Sequence, residues 1–236
     1  MAPRDFDIDG LATYLHLTPP QVTRMATRGK LPGRRVGGQW RFSEAEIHHW
    51  LEDRIGASED DDALAHMEGL LKNKAAGDTE IRIGELLPIE AIAIPLDART
   101  RQSAITRMVE LAAQTGWLWD PERMAEAVRA RETLQSTALD NGIALLHPRR
   151  PQPGILERPF VALGRTATGI PFGATRGALT DLFFLICSVD DKQHLRTLAR
   201  LCRLIGDADL LADIRNGEHV SAVRAIIEDY EMRHFE

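Results

Sequence analysis

His147 ends the run Ile143-Ala144-Leu145-Leu146 and is followed at once by Pro148, Arg149 and Arg150. A short apolar run of this kind reads as a strand buried on both faces. Proline at the next position biases His147 away from the helical region, so the strand delivers one imidazole to its own end. Imidazole is a usable nucleophile near neutral pH, and a guanidinium such as that of Arg149 suits the charge of a phosphoryl group. Further on, His194 opens an amphipathic stretch over 194–205, whose first-turn N–H groups favour an anion. One histidine as acceptor, with a second histidine and arginines around it, makes a phosphoryl-transfer pocket. Taken alone, the same four residues, His-Pro-Arg-Arg, read more readily as a solvated surface loop. The residues by themselves leave both readings open.

Other side chains that carry chemistry point to less. His48 and His49 are neighbours on one helix and face different directions, so they do not make a metal pair. Cys187 and Cys202 are the only cysteines, both in apolar runs without metal-ligand spacing, and read as reduced core residues. The stretch 164–177 holds four glycines around Arg165, Pro171 and Arg176 but matches no phosphate-loop pattern. It reads as a flexible loop bordering the active face. Trp117 and Trp119 read as core or edge packing.

Elements long enough to position the two histidines are present. Of the 236 residues, 44% are hydrophobic and 27% charged, with 18 glycines and 12 prolines, an ordinary globular composition that excludes collagen-like and wholly disordered chains. No apolar stretch approaches the ~20 residues that span a bilayer. The start MAPRDFDIDG lacks the pattern of a secretory signal, so the expectation is a cytoplasmic protein without membrane insertion. The spacing predicts helices over 100–116 and 121–132, strands over 160–163 and 181–187, and helices over 194–205 and 220–230. This is an α/β layer arrangement, a mixed sheet flanked by helices. Three parts follow: a small mainly-α unit at 1–55, an acidic linker at 56–79 with room for one short helix, and the α/β domain at 80–236.

The net charge of −6 conceals an uneven distribution. Between Asp9 and Glu44 there is no acidic residue but six basic ones, whereas 56–80 holds seven acids against Lys72 and Lys74. In the basic part, Asp7 or Asp9 caps a helix carrying Leu11, Ala12, Leu15 and Leu17. Thr18, followed by two prolines, caps a second helix that stops near Gly29. Gly37-Gly38 then joins two extended pieces as a hairpin, and Ser43 with Glu46 opens a third helix. The polar side of the second helix carries Gln21, Thr23, Arg24, Thr27 and Arg28, types that read base edges from the major groove. Arg34, Arg35 and Arg41 on the hairpin are placed to neutralise phosphates. A small helical packing module with a solvated basic face is the alternative.

The stretch 8–51 resembles the DNA-binding domain of the excisionase group within the MerR-like winged-helix proteins. The resemblance rests on Leu11-Ala12-Thr13-Tyr14-Leu15, Val22-Thr23-Arg24-Met25, Gly29-Lys30-Leu31-Pro32 and Val36-Gly37-Gly38-Gln39-Trp40-Arg41-Phe42. It implies binding to duplex DNA, with base contacts from the second helix and backbone contacts from the wing. Because one such domain has a small footprint, it also implies a homo-oligomer.

Residues 81–230 resemble the fructose/mannitol-type enzyme IIA domain of the bacterial phosphoenolpyruvate-dependent phosphotransferase system (PTS), a group that includes the nitrogen-related regulatory IIA proteins. The family pattern appears here as Arg131-Glu132, Ser136-Thr137 and Gly142-Ile143-Ala144-Leu145-Leu146-His147. A second signature appears as the apolar run 182–187, Asp190-Asp191, then His194-Leu195 and a Leu-rich helix. The resemblance implies that His147 is phosphorylated, that His194 supports the phosphoryl group, and that Arg131 lies near the pocket. Ser136 and Thr137 would lie in the loop beside it. It further implies a phosphorylated histidine carrier protein as donor, a IIB protein as the usual acceptor, and neither metal nor small cofactor. The sequence departs from the family pattern at Ala138-Leu139-Asp140-Asn141-Gly142, which stands for Gly-Ile-Gly-Asn-Gly. It departs again at Leu146, which stands for a proline, and Pro148 follows the histidine instead.

Together these readings predict a DNA-binding regulator tuned by a phosphotransferase domain. Two others stand beside it: a phosphocarrier serving a separate IIB protein, and a silent docking or oligomerisation module on a DNA binder.

Overall fold

A computed structural model describes residues 5–15, 17–44, 46–47, 49–51 and 81–234. The chain divides into two compact units, Met1–Thr79 and Glu80–Glu236. The expected linker at 56–79 and its short helix lie outside the described residues, as does His48.

In the first unit, strand β1 (Asp5–Phe6) leads into a helix at Ile8–Tyr14. That helix starts because the Asp7 carboxylate accepts the Gly10 N–H at 2.7 Å. A second helix, Pro19–Thr27, opens on two prolines whose missing N–H groups would have had no helical partner. Gly29 ends the turn after it at φ +66°. Strands β2 (Arg34–Val36) and β3 (Gln39–Ser43) make the hairpin. Gly37 and Gly38, at φ +59° and +81°, supply the two positive-φ residues that a two-residue hairpin turn requires. β1 adds to β3 on the other side, so the small antiparallel sheet has the order β1-β3-β2. Leu11, Leu15, Val22, Ala26, Leu31, Phe42, Ile47 and Leu51 are buried and form this unit's core.

In the second unit, β4 (Ile92–Ala93), β5 (Ile143–Leu146), β6 (Phe160–Pro171) and β7 (Leu179–Cys187) form one mixed sheet in the order β4-β6-β7-β5. β5 runs parallel to β7, and β6 antiparallel to it. Successive side chains of a strand point to opposite faces. Ala144, Leu146, Phe183 and Leu185 therefore join the cluster built with helices Arg101–Ala113 and Pro121–Leu134. Leu182, Phe184 and Ile186 are buried on the other face, and helix Asp191–Ile205 packs against β7. Both faces being covered explains why β5 and β7 read as unbroken apolar runs. Helices Ala208–Asn216 and Val220–His234 complete the domain.

Several sequence expectations change. The stretch 164–177 is not a flexible loop, since its first half, through Pro171, is the continuation of β6 paired to β7 across a register shift between Arg165 and Ile170. Gly164 reflects close packing, because a Cβ there would lie 2.5 Å from the Met108 sulfur. Trp119 is 61% exposed rather than packed, whereas Trp117 meets Phe160 edge-on at 5.6 Å. β4 and the helix Ile83–Leu86 are too short for the sequence to reveal them, whereas the helix Ala208–Asn216 is amphipathic and capped by Asp207 and is one the sequence expectations leave out. Among the described residues, no helix is long and apolar enough to cross a membrane.

Asp207 caps helix Ala208–Asn216 through the N–H groups of Asp209 (2.9 Å) and Leu210 (3.0 Å), and accepts the Tyr230 hydroxyl at 2.9 Å. These bonds, that of Leu210 foremost, hold its carboxyl below the usual range. A carboxylate favoured by the fold stabilises it above the unfolded-state pKa and loses that effect as pH falls through the folded one. Asp207→Ala is expected to cost about 1 kcal/mol at neutral pH. In urea unfolding series, its difference from the parent protein should shrink as the pH is lowered into the acid range.

Candidate functional site

β5 and β7 are parallel neighbours, so their C-terminal ends lie at the same edge of the sheet. Each is followed by one of the two histidines. His147 comes directly after β5 and is 3% exposed; His194 lies in the first turn of helix Asp191–Ile205 and is 2% exposed. Their ring centroids are 5.2 Å apart, with the planes tilted by 52°. The structure thus brings together two side chains 47 positions apart in sequence.

The hydrogen bonds around His147 fix its chemistry. Its Nδ1 lies 2.8 Å from the Leu145 carbonyl oxygen. A carbonyl can only accept, so Nδ1 carries the hydrogen, and the lone pair of the neutral ring is on Nε2. A neutral ring held in this way would react through Nε2. His194 Nδ1 is 3.2 Å from the hydroxyl oxygen of Ser188, which is itself buried. The helix begins three residues before His194, because Asp190 caps it by accepting the Gln193 N–H at 2.8 Å. A carboxylate already occupies that helix terminus, so the expectation that its N–H groups await an anion is replaced by an imidazole held just inside the cap.

Arg131 lies near the end of helix Pro121–Leu134, buried, and its Nη1 donates to the Gln135 carbonyl at 3.0 Å. Its Nε is buried and has no hydrogen-bond partner among the described residues. The turn at 135–139 then folds back along β5, with Leu145 N–H donating to the Thr137 carbonyl (3.3 Å) and Leu139 N–H to that of Ile143 (2.7 Å). Within the turn, the Ser136 hydroxyl donates to the Phe172 carbonyl at 3.2 Å, and the Thr137 hydroxyl donates to the Glu132 carboxylate. Both hydroxyls are thus engaged in shaping the turn. Arg149 and Arg150 are exposed, in a segment that returns to the site where Gln152 N–H donates to the Ser188 carbonyl at 3.0 Å. Sequence reasoning missed Ser188 and gave Glu132 no role. For Ser188 the available signal was its place between an apolar strand and a helix cap.

In the first unit, Arg24, Thr27 and Arg28 are exposed on the second helix. Gln21 is not presented in the same way, because its Oε1 accepts the N–H and hydroxyl of Thr18 at 2.8 and 2.9 Å, closing the cap. Thr23 and Thr27 donate their hydroxyls back to Pro19 and Thr23 carbonyls. On the hairpin, Arg34 pairs with Asp5 at 3.0 Å, Arg35 lies 5.1 Å from the Trp40 ring centre, and Arg41 reaches Gln39 at 3.4 Å. The structure therefore separates cationic groups that face solvent from polar groups spent on the fold.

A mixed sheet with two buried histidines beyond the C-terminal ends of two parallel strands, in a chain that also carries a small helix-turn-helix unit, defines the class of protein. Residues 85–230 match the family described as "Phosphoenolpyruvate-dependent sugar phosphotransferase system, EIIA 2", and residues 6–55 match a "Helix-turn-helix domain". The chain belongs to that EIIA family, with the helix-turn-helix domain joined to its N-terminal side. A nitrogen regulatory protein of Bradyrhizobium diazoefficiens is 30% identical over 149 residues, covering 61% of this chain and 94% of the relative. The fructose-specific EIIABC component of Bacillus subtilis is 26% identical over 153 residues, 64% of this chain but only 24% of that longer protein. Among solved structures, the nitrogen regulatory protein IIA-Ntr of Neisseria meningitidis aligns over 61% of this chain and 98% of its own, with a TM-score of 0.54 and 25% identity.

The two thiols are not rival nucleophiles. Both are buried, and burial disfavours the thiolate, pushing Cys202 up to about 12 and Cys187 higher still. At pH 8 the native protein is expected to resist a thiol-specific reagent such as a disulfide dye, and to release two equivalents of reaction only on denaturation. Rapid native labelling would show that the packing around β7 opens.

Proposed function

We propose that this protein is a DNA-binding regulator whose output is set by phosphorylation of His147, with the phosphorylated histidine carrier protein of the phosphotransferase system as donor. The observation that carries the reading is the hydrogen bond from Nδ1 to the Leu145 carbonyl, which puts the lone pair of the ring on Nε2. In the transfer, the donor's P–N bond breaks and its electron pair returns to the donor imidazole while the Nε2–P bond forms. No proton has to leave Nδ1. His194, 5.2 Å away centre to centre, and Arg131 are the groups assigned to stabilise the phosphoryl charge. Arg149, exposed next to the site, is a further phosphate contact. The phosphoryl group brings about two negative charges, and while the ring keeps its Nδ1 hydrogen it gains one positive charge, so the domain changes by about one net negative charge, the change a partner or the DNA-binding output would read.

The basic face of the first unit supports duplex DNA as the second partner, bound by a homo-oligomer because one such unit covers few base pairs. A second reading, delivery of the phosphoryl group to a separate IIB protein, draws on the likeness to the fructose-specific EIIABC component.

Two experiments test the proposal. The protein is incubated with phosphoenolpyruvate, enzyme I and the carrier, and its intact mass is read at neutral pH. One phosphoryl group should be gained, and lost in His147→Ala; no gain with several carriers would sink the phosphorylation step. Adding a IIB protein then separates regulator from carrier, since only a carrier discharges rapidly. For DNA, anisotropy titrations on duplex fragments over a salt series should show Arg24→Ala and Arg28→Ala each lowering the salt slope by about 1. Gln21→Ala should leave the slope unchanged and weaken the fold of the first unit instead. Unchanged slopes in both arginine variants would remove the second helix from the interface.

A further inference from the structure

We infer that Glu132 is the positioning residue of the acceptor histidine: its buried carboxylate holds the turn that fixes the outer edge of β5 and, through Leu145, the tautomer of His147. This rests on the reading of His147 as acceptor, but its structural part stands apart from that reading.

β5 is four residues long and lies at the edge of the sheet, with β7 as its only strand partner among the described residues. An edge strand so short needs its second side covered to hold register. The covering segment is 137–139, which bonds to Leu145 and Ile143 and makes an antiparallel bridge between Ala138 and Ala144. That segment has no helix or strand of its own to hold it. It is held by Glu132, whose side chain is 2% exposed and which accepts the Thr137 N–H at 3.1 Å as well as the Thr137 hydroxyl. The opposite side of the carboxylate is balanced by Arg101, which reaches it at 2.8 Å and also donates to the Glu132 carbonyl. Arg101 is further placed 5.3 Å from the Phe172 ring centre.

The bonds run in one direction. Arg101 and Glu132 fix Thr137; the Thr137 carbonyl takes the Leu145 N–H; the Leu145 carbonyl takes the Nδ1 hydrogen of His147. The Leu145 peptide is thereby clamped on the edge of β5 away from β7. If it rotates or slides, Nδ1 loses its acceptor and the ring no longer has a reason to keep its hydrogen there. Glu132 touches neither histidine in this chain of bonds and is not a catalytic residue. Its effect is on the orientation of Nε2, and small displacements of a reacting atom cost rate steeply.

The test uses the full-length protein and three variants: Glu132→Ala, Glu132→Gln and Thr137→Val. The first readout is the nitrogen-15 spectrum of the His147 imidazole, which distinguishes the Nδ1–H from the Nε2–H tautomer and needs no phosphoryl donor. The second is transfer from the phosphorylated carrier, separated into kcat and KM. Glu132→Ala is expected to shift His147 toward a tautomer mixture and to lower kcat by about 10- to 100-fold with KM little changed. Glu132→Gln, which keeps an acceptor for Thr137, should recover most of both. Thr137→Val, which removes one hydroxyl and leaves the backbone bond, should lie between them and decides the question if the alanine variant does not fold. A folded Glu132→Ala or Thr137→Val protein with the parent tautomer would overturn the proposal. Parent protein that shows the Nδ1–H tautomer but accepts no phosphoryl group would count against the acceptor reading alone.

Discussion

One hydrogen bond, from His147 Nδ1 to the carbonyl two residues back, sets the orientation and the tautomer of that ring. It is available only because Leu145 sits in a strand whose geometry is imposed from both sides. On one side, β7 pairs with β5 from Ile143↔Leu182 to Leu146↔Leu185. On the other, the folded-back turn takes the bonds that an edge strand would otherwise offer to solvent. β7 is in turn buried over Leu182 to Cys187, between the helix pair 101–113 and 121–134 and helix 191–205. The layers exist for the usual reason, burial of apolar surface. Their consequence is that two imidazoles face each other at one sheet edge.

The sequence shows most where periodicity and burial agree. The apolar runs of β5 and β7, the helices after Thr100, Asp120 and Asp190, and the Gly37-Gly38 hairpin are all legible, because each has a local cause: two-face burial, a cap, or a turn needing positive φ. The two histidines are legible as types, but their pairing needs the parallel register of β5 and β7, which no local pattern encodes. Long-range polar contacts are opaque for the same reason. Nothing in a window around Glu132 announces Arg101, 31 residues earlier. The glycines of 164–171 mislead because the same residue serves loose turns and tight packing, and only Met108 and Leu96 distinguish the two at Gly164.

In the first unit, the fold and any partner compete for the same polar groups. A list of DNA-reading residue types picks out Gln21, Thr23, Arg24, Thr27 and Arg28 alike, yet a short helix must satisfy its own termini first. Gln21 answers that demand by bonding to Thr18, and the threonine hydroxyls bond back into the helix. What is left over for a partner is charge, Arg24 and Arg28 on the helix. Even on the hairpin, Arg34 and Arg35 have neighbours in Asp5 and Trp40 that orient them. Arg35 on its indole remains cationic toward solvent, whereas Arg34 would exchange one anion for another, at little net gain for an exposed pair.

Burial likewise governs what phosphorylation of His147 would do. Both rings are almost wholly buried, and a phosphoryl group placed among them loses water that must be replaced by donors. Arg131, the donor assigned in the proposal, has a buried Nε with no acceptor among the described residues, and a dianion within its reach would satisfy that desolvated group and itself together. The segment carrying Arg149 and Arg150 is tied at one end to the strand of His147 and at the other to Ser188, whose hydroxyl meets His194. A shift at either histidine therefore acts on a surface segment fixed at both of its ends. Its exposed guanidinium groups would meet a new anion beside them. On the proposed reading, the added charge would reach the surface through this tied segment rather than through the sheet beneath it.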